Sequence, residues 1–227
     1  MHGNTSFSDT LHLAEASFGP SAKDRFDFTL TFENAILSII PSAIFCILAP
    51  HRLYLLWRQP HKVAKSPRHV FKLGLIGTYT LLQLAVLLYW TLGPLPTLAW
   101  QIAAAVLVFV DGLLLLFVSH AEHTRSVKPS TLINVYLLLT LLFDCAIART
   151  AWLVYDADAV AKLYTSSAAI KLLVLAAEAW EKRAILLDRY QHLSPETTSG
   201  ILARSVFWWI NPLMKAGFGH FLTDQDL

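Results

Sequence analysis

Five apolar runs, at residues 31–49, 73–92, 98–119, 132–152 and 166–187, constrain this chain more than any other feature. Each is close to the roughly 20 helical residues that cross a hydrocarbon core of about 30 Å. Backbone polar groups in lipid must be satisfied within the segment, so runs of this length are expected to be helices. The composition agrees, with 55% hydrophobic and 15% charged residues, where a soluble domain has about 45–50% and about 25%. The expected fold is an all-α integral membrane protein with five transmembrane helices. The first run starts with Glu33 and Asn34 and carries Pro41 midway, which a membrane helix tolerates as a kink. Cys46 and Cys145 both fall in apolar runs and read as small buried hydrophobes, with no disulfide framework or metal site.

Orientation follows from the basic residues. The loop over 50–72 carries Arg52, Arg58, Lys62, Lys65, Arg68 and Lys72, the loop after the third run Arg125 and Lys128, and the tail Lys182, Arg183, Arg189, Arg204 and Lys215. The alternate segments hold only Lys23, Arg25 and Lys162. Thirteen against three puts the N-terminus outside and the C-terminus in the cytoplasm. Tyr89, Trp90, Trp100, Trp152, Tyr155 and Tyr164 then fall at outer helix ends, as an aromatic belt requires. Residues 1–30 form an extracytoplasmic segment with no basic-then-apolar signal peptide pattern, and Asn4-Thr5-Ser6 is a glycosylation sequon on that side. A net charge of +2 gives no case for a nucleic-acid partner. The bilayer is the expected partner.

Asp111, Asp144, Arg149, Lys171 and Glu178 lie inside the runs. Each ionisable group near the bilayer centre costs roughly 2.5–3.5 kcal/mol on the insertion scale, so these should face the bundle. At about 1.5 Å per residue, Asp144 lies roughly 18 Å, Lys171 roughly 24 Å and Arg149 roughly 25 Å above the inner face. Asp144 is therefore expected to pair with Lys171 or Arg149. Asp111 and Glu178 both come out at about 12–14 Å, like charges together unless one is protonated or Lys182 joins them. The functional reading is a proton relay, a substrate path or an acid catalyst. The structural reading is ion pairs holding short helices in register, and it is preferred. His120 and His123 flank Glu122 in what reads as a short loop, too weak a pattern for a metal. No G-x-x-x-x-G-K-[ST], G-x-G-x-x-G or G-x-S-x-G occurs, and the nine glycines build no phosphate cradle. Neither catalytic nor cofactor-binding residues are expected in this chain.

The tail carries the most specific pattern. From residue 194 it reads S-P-E-T-T-S-G-I-L-A-R-S-V-F-W-W-I-N-P-L-M-K-A-G-F-G-H-F-L-T-D-Q-D-L. Ser194, Pro195 and Glu196 are helix-start residues. Helical spacing sets Leu202, Val206, Trp209 and Leu213 on one face and Arg204, Trp208, Asn211 and Lys215 on another, as in an amphipathic helix lying on a membrane. The tail resembles the cytoplasmic lasso linker and elbow helix of subfamily C ABC transporters, the multidrug-resistance-associated type, and most of all its fungal members. The matching positions are Ser194, Pro195, Glu196, Ser199, Gly200, Arg204, Phe207, Trp208, Asn211, Pro212, Leu213, Gly217, Asp226 and Leu227. Residues 26–43 and 58–63 resemble the start of that family's extra five-span N-terminal domain.

The resemblance implies an extracytoplasmic segment at 1–30, a five-span domain at 31–187 and a linker with elbow-helix segment at 188–227. It implies a longer protein in which two core transmembrane domains and two nucleotide-binding domains use ATP and Mg to export metabolites, conjugates or xenobiotics. The sequence stops at Leu227, so the expectation is a part truncated before that core. What such a part retains is an accessory role in the plasma or vacuolar membrane, docking the transporter core or other membrane proteins. The competing expectation is a small multispan enzyme, such as a membrane-bound terpene cyclase using Asp111, Asp144 or Glu178 as the acid. Five spans where seven are expected, and the tail, weigh against it.

Overall fold

The structure, a computed structural model, describes residues 20–21, 27–28, 32–63, 66–93, 97, 99–154, 159–180, 198–205, 207, 210, 211, 214, 217 and 218. Five helices long and apolar enough to span a membrane make up most of it: α1 (Glu33–Trp57), α2 (Pro67–Leu92), α3 (Ala99–Arg125), α4 (Thr131–Val154) and α5 (Ala159–Ala179). A short helix, α6 (Ile201–Ser205), comes after them. Before α1, the two-residue strands β1 (Pro20–Ser21) and β2 (Asp27–Phe28) pair antiparallel. The chain is an integral, multi-pass membrane protein.

The helices overrun the apolar runs, and the overrun has physical causes. The first span continues past Ala49 to Trp57, with Pro50 inside it. Its end is capped from another helix: Arg125 Nη1 donates to the carbonyl oxygens of Leu56 (3.3 Å), Trp57 (2.6 Å) and Gln59 (3.2 Å). A guanidinium at a helix C-terminus satisfies orphan carbonyls and meets the negative end of the dipole. The second span starts at Pro67 and not at 73, because Ser66 accepts from the Arg68 N–H (3.3 Å) as N-cap and Pro67 suits the first helical position. Lys72 is thereby a buried helix residue and not part of the loop. The third span reaches Arg125, which puts His120, Glu122 and His123 on its last turns instead of in a loop. The fifth span runs over Ala159–Ala179, so it starts before the expected residue 166 and gives way to a bend at Trp180; its expected course over 181–187 lies outside the described residues.

Within α1, residues Glu33–Ile39 form π-helix and Ile40–Trp57 α-helix. The switch falls beside Pro41, which has no N–H to give and whose ring crowds the carbonyl four residues back. A wider turn upstream relieves both problems.

Packing runs α1 to α3, α3 to α2, α2 to α5 and α5 to α4, and the π-helical segment of α1 returns to α4, so the helices form a ring. The seam between α2 and α3 is close at Gly112, where an added Cβ would stand 2.9 Å from Thr80 Oγ1 and 3.4 Å from its Cα. A small residue at such a crossing lets membrane helices approach. Phe45 and Tyr136 stack across the middle with ring centroids 4.0 Å apart, among buried Ile76, Tyr79, Leu115, Leu137 and Val174. A second cluster of Val86, Trp90, Ala105, Ala151, Val160 and Ala161 fills the far end. Outward, Ile47, Leu81, Phe117, Leu142 and Leu172 are all exposed. Apolar surface outside and polar groups inside is the arrangement a bilayer asks for.

Two smaller expectations change. Trp90 is buried and donates from Nε1 to Tyr164 Oη (3.0 Å), so it braces α2 against α5 and is no belt residue, whereas Trp100 and Trp152 are exposed at that end. Cys145 is exposed on the outer surface and Cys46 is half-buried; both thiols are free, and neither is a fully buried hydrophobe.

Candidate functional site

Ionisable and polar side chains form a ladder up the inside of the ring, each rung tying together different helices. At the end rich in Lys and Arg, Arg52 Nε (α1) donates to Glu122 Oε1 (α3) at 2.7 Å, and Ser130 Oγ, just before α4, donates to the same oxygen at 3.0 Å. Lys72 (α2) pairs with Glu178 (α5) at 3.2 Å, and Ser119 (α3) gives its hydroxyl to the same carboxylate. Deeper, Asp111 (α3) accepts from Tyr136 Oη (α4) at 2.8 Å and from Cys46 Sγ (α1) at 3.2 Å. Beside it Lys171 (α5) forms an ion pair with Asp144 (α4), donates to Thr140 Oγ1 at 3.3 Å and lies 5.3 Å from the centre of the Tyr79 ring (α2). At the far end Thr150 Oγ1 (α4) donates to Glu33 Oε1 (α1) at 2.6 Å.

The structure thus sets Lys171, and not Arg149, against Asp144; Arg149 lies on the exposed side of α4. Asp111 and Glu178 do not form the like-charge couple that equal depths suggested, because Asp111 is served by hydroxyl and thiol donors and Glu178 by Lys72. Lys182 lies outside the described residues. Hydropathy missed Lys72, Arg52 and Glu122, since charged residues at the ends of an apolar run look like loop, and Glu33, seen at the start of the first run, was not counted among the charges facing the bundle. A signal was present all the same: cations and acids at the ends of different runs sit at similar heights.

This geometry does not suit an acid catalyst. Both oxygens of Asp111 are taken, by Cys46 and Tyr136, and Asp144 and Glu178 each hold an ammonium group. Such an arrangement lowers the cost of keeping charge in lipid and ties helices together. The histidines form a stack: His69 lies 4.4 Å from His123, with planes 4° apart, and 4.9 Å from His120. Among the described residues no group of three His, Cys, Asp or Glu is arranged for a metal.

The second feature is a seat for the linker. Thr198 and Ser199 are buried, and Gly200 lies against Pro129 in the turn between α3 and α4. An added Cβ at Gly200 would stand 3.0 Å from Pro129 Cβ and Cγ, so only glycine fits without displacement. The short helix α6 then packs on α4 and α5, with Leu202 against the main core. A recess of about 370 Å³ is lined there by Lys128, Thr131, Ser199, Ile201, Arg204 and Ser205. Phe207 has φ 53°, in the left-handed region, so the helix of Ile201–Ser205 does not run on through it as the helical spacing suggested. Ser194, Pro195, Glu196, Trp208, Pro212, Leu213 and Asn4 lie outside the described residues.

Residues 14–170 match the family described as ABC transporter TMD0 domain. The chain is 41% identical over 223 residues to ABC multidrug transporter B of Aspergillus fumigatus, covering 96% of this chain and 15% of that protein. It is 38% identical over 214 residues to ABC transporter atnG of Emericella nidulans, covering 92% of this chain and 14% of that protein. A third relative, ABC multidrug transporter lscH of Purpureocillium lilacinum, is 36% identical over 221 residues, covering 94% and 14%. The chain therefore spans about one seventh of the length of these curated relatives.

Proposed function

The chain belongs to the TMD0 domain family of ABC transporters, and from that membership we propose that it is a non-catalytic accessory module that docks a transporter core through its linker. The observation that carries this reading is the linker seat, where buried Thr198 and Ser199 and the close approach of Gly200 to Pro129 fasten the tail to the bundle. A tail fastened there presents its docking surface at a set position beside the five helices. The bundle interior serves the same end, since its ionic rungs tie the helices together and leave no chemistry to perform. ATP and Mg belong to nucleotide-binding domains, and this sequence contains no phosphate-binding loop to hold them.

In this reading residues 1–30 are extracytoplasmic with Asn4 available for glycosylation, 31–187 the five-span domain and 188–227 the cytoplasmic linker. The end with Arg52, Arg58, Arg68 and Arg125 faces the cytoplasm, as the positive-inside rule directs. The membrane is the plasma or vacuolar membrane. The assembled transporter exports small metabolites or xenobiotics, as the names of the multidrug relatives suggest.

The test is rescue in trans. A fungal strain carrying the transporter B core without its own accessory domain should show low arrival of that core at its membrane. Adding this chain should raise arrival and xenobiotic resistance together. No change in either, with the chain present in the same membrane, contradicts the proposal.

A further inference from the structure

A groove of about 540 Å³ runs along the outer seam of α2 and α5 at the basic end. Its floor and walls are Phe71, Leu75, Leu173, Ala176, Ala177 and Trp180. Phe71 and Leu173 are exposed, so the groove opens sideways to where lipid lies. Its rim is cationic. Arg68 stands with its guanidinium 5.5 Å from the centre of the Trp180 ring and has no carboxylate partner among the described residues. Deeper, Lys72 pairs with Glu178, and Glu178 also accepts from Ser119, so this carboxylate has its charge already answered. His123 completes the lining, with its ring stacked on His69.

We infer that this groove holds an anionic phospholipid of the adjoining leaflet, its phosphate at Arg68 and one acyl chain along Phe71, Leu75, Leu173 and Ala176. Charge complementarity selects the occupant. An apolar trough about 12 Å long, the rise from residue 67 to 75, suits the outer part of an acyl chain. A fork of guanidinium donors at its mouth pairs with the phosphate and favours a headgroup of net negative charge, such as phosphatidylserine with its added carboxylate, over phosphatidylcholine, whose quaternary ammonium offsets the same phosphate. The Trp180 face holds the guanidinium at headgroup level, where Trp and Arg anchor membrane helices. The inference rests on the membrane-spanning fold and not on docking to a core.

Native mass spectrometry of the full chain, purified in detergent and offered equal amounts of phosphatidylserine and phosphatidylcholine, tests it. Wild type should retain phosphatidylserine in preference. Arg68→Gln should lower that preference about fivefold, the value of one basic residue near an anionic surface. Arg68→Lys should keep most of it, and Arg58→Gln, at the same end but outside the groove, should leave it unchanged. Ala176→Trp should remove both adducts by filling the trough, while gel filtration shows the chain intact. Equal retention of the two lipids by wild type, an Arg58→Gln loss as large as that of Arg68→Gln, or retention of neither lipid would overturn the inference. All four substitutions lie on exposed or groove-facing surface, and the readout is a ratio, so reduced yield does not obscure the result.

Discussion

Lys171 shows what a buried charge does in this molecule. It is 1% exposed, yet it meets Asp144, Thr140 and the face of Tyr79, so three helices share one ammonium group. Lys171→Met leaves Asp144 without its cation and should destabilise the bundle by about 3–5 kcal/mol, as breaking a buried pair does. Adding Asp144→Asn should recover much of that loss, because the pair and not either residue alone is what the fold needs. Thermal unfolding of the detergent-purified variants measures both; additive losses in the double variant would refute it. The Asp144–Lys171 contact was within reach of the sequence because both residues interrupt apolar runs at similar depth. Lys72 with Glu178 was not, since Lys72 precedes its run by one residue and reads as loop until the Ser66 cap shows that the helix starts earlier.

At the scale of elements, glycines separate crossing points from open surface. A Cβ at Gly112 meets Thr80, whereas a Cβ at Gly74 meets nothing within 4 Å. Gly112→Val should therefore cost roughly 1–3 kcal/mol through overpacking. Gly74→Ala should be neutral or stabilise by up to about 1 kcal/mol, the helix preference for alanine. Equal effects at the two sites would mean that α2 and α3 do not cross at Gly112. Existence and number of the five helices were legible from apolar length alone. Their ends were not, because they depend on tertiary capping: Arg125 closes α1 from the end of α3, a contact between residues 68 positions apart. The π-helical turn before Pro41 was equally hidden, since sequence shows the missing N–H but not how the preceding turn widens to absorb it.

For the whole molecule, the decisive relation is between bundle and tail. The linker signature was readable as a pattern, but the reason for its glycine was not, because Pro129 meets Gly200 only after the chain has crossed the membrane twice more. Gly200→Val should push the linker off the α3–α4 turn, and limited proteolysis should then cleave within 198–205 faster than in wild type while the five spans stay protected. Orientation has its own check: Asn4→Gln should increase gel mobility if the N-terminus is outside and modified, and an N-terminal tag shielded from protease in intact cells would reverse the assignment. Co-purification bears most directly on the accessory role. The tagged chain should bring down the transporter B core lacking its own accessory domain, and Gly200→Val, still folded and in the membrane, should bring down much less. Recovery of no core by wild type, or equal recovery by wild type and Gly200→Val, would contradict docking through the linker.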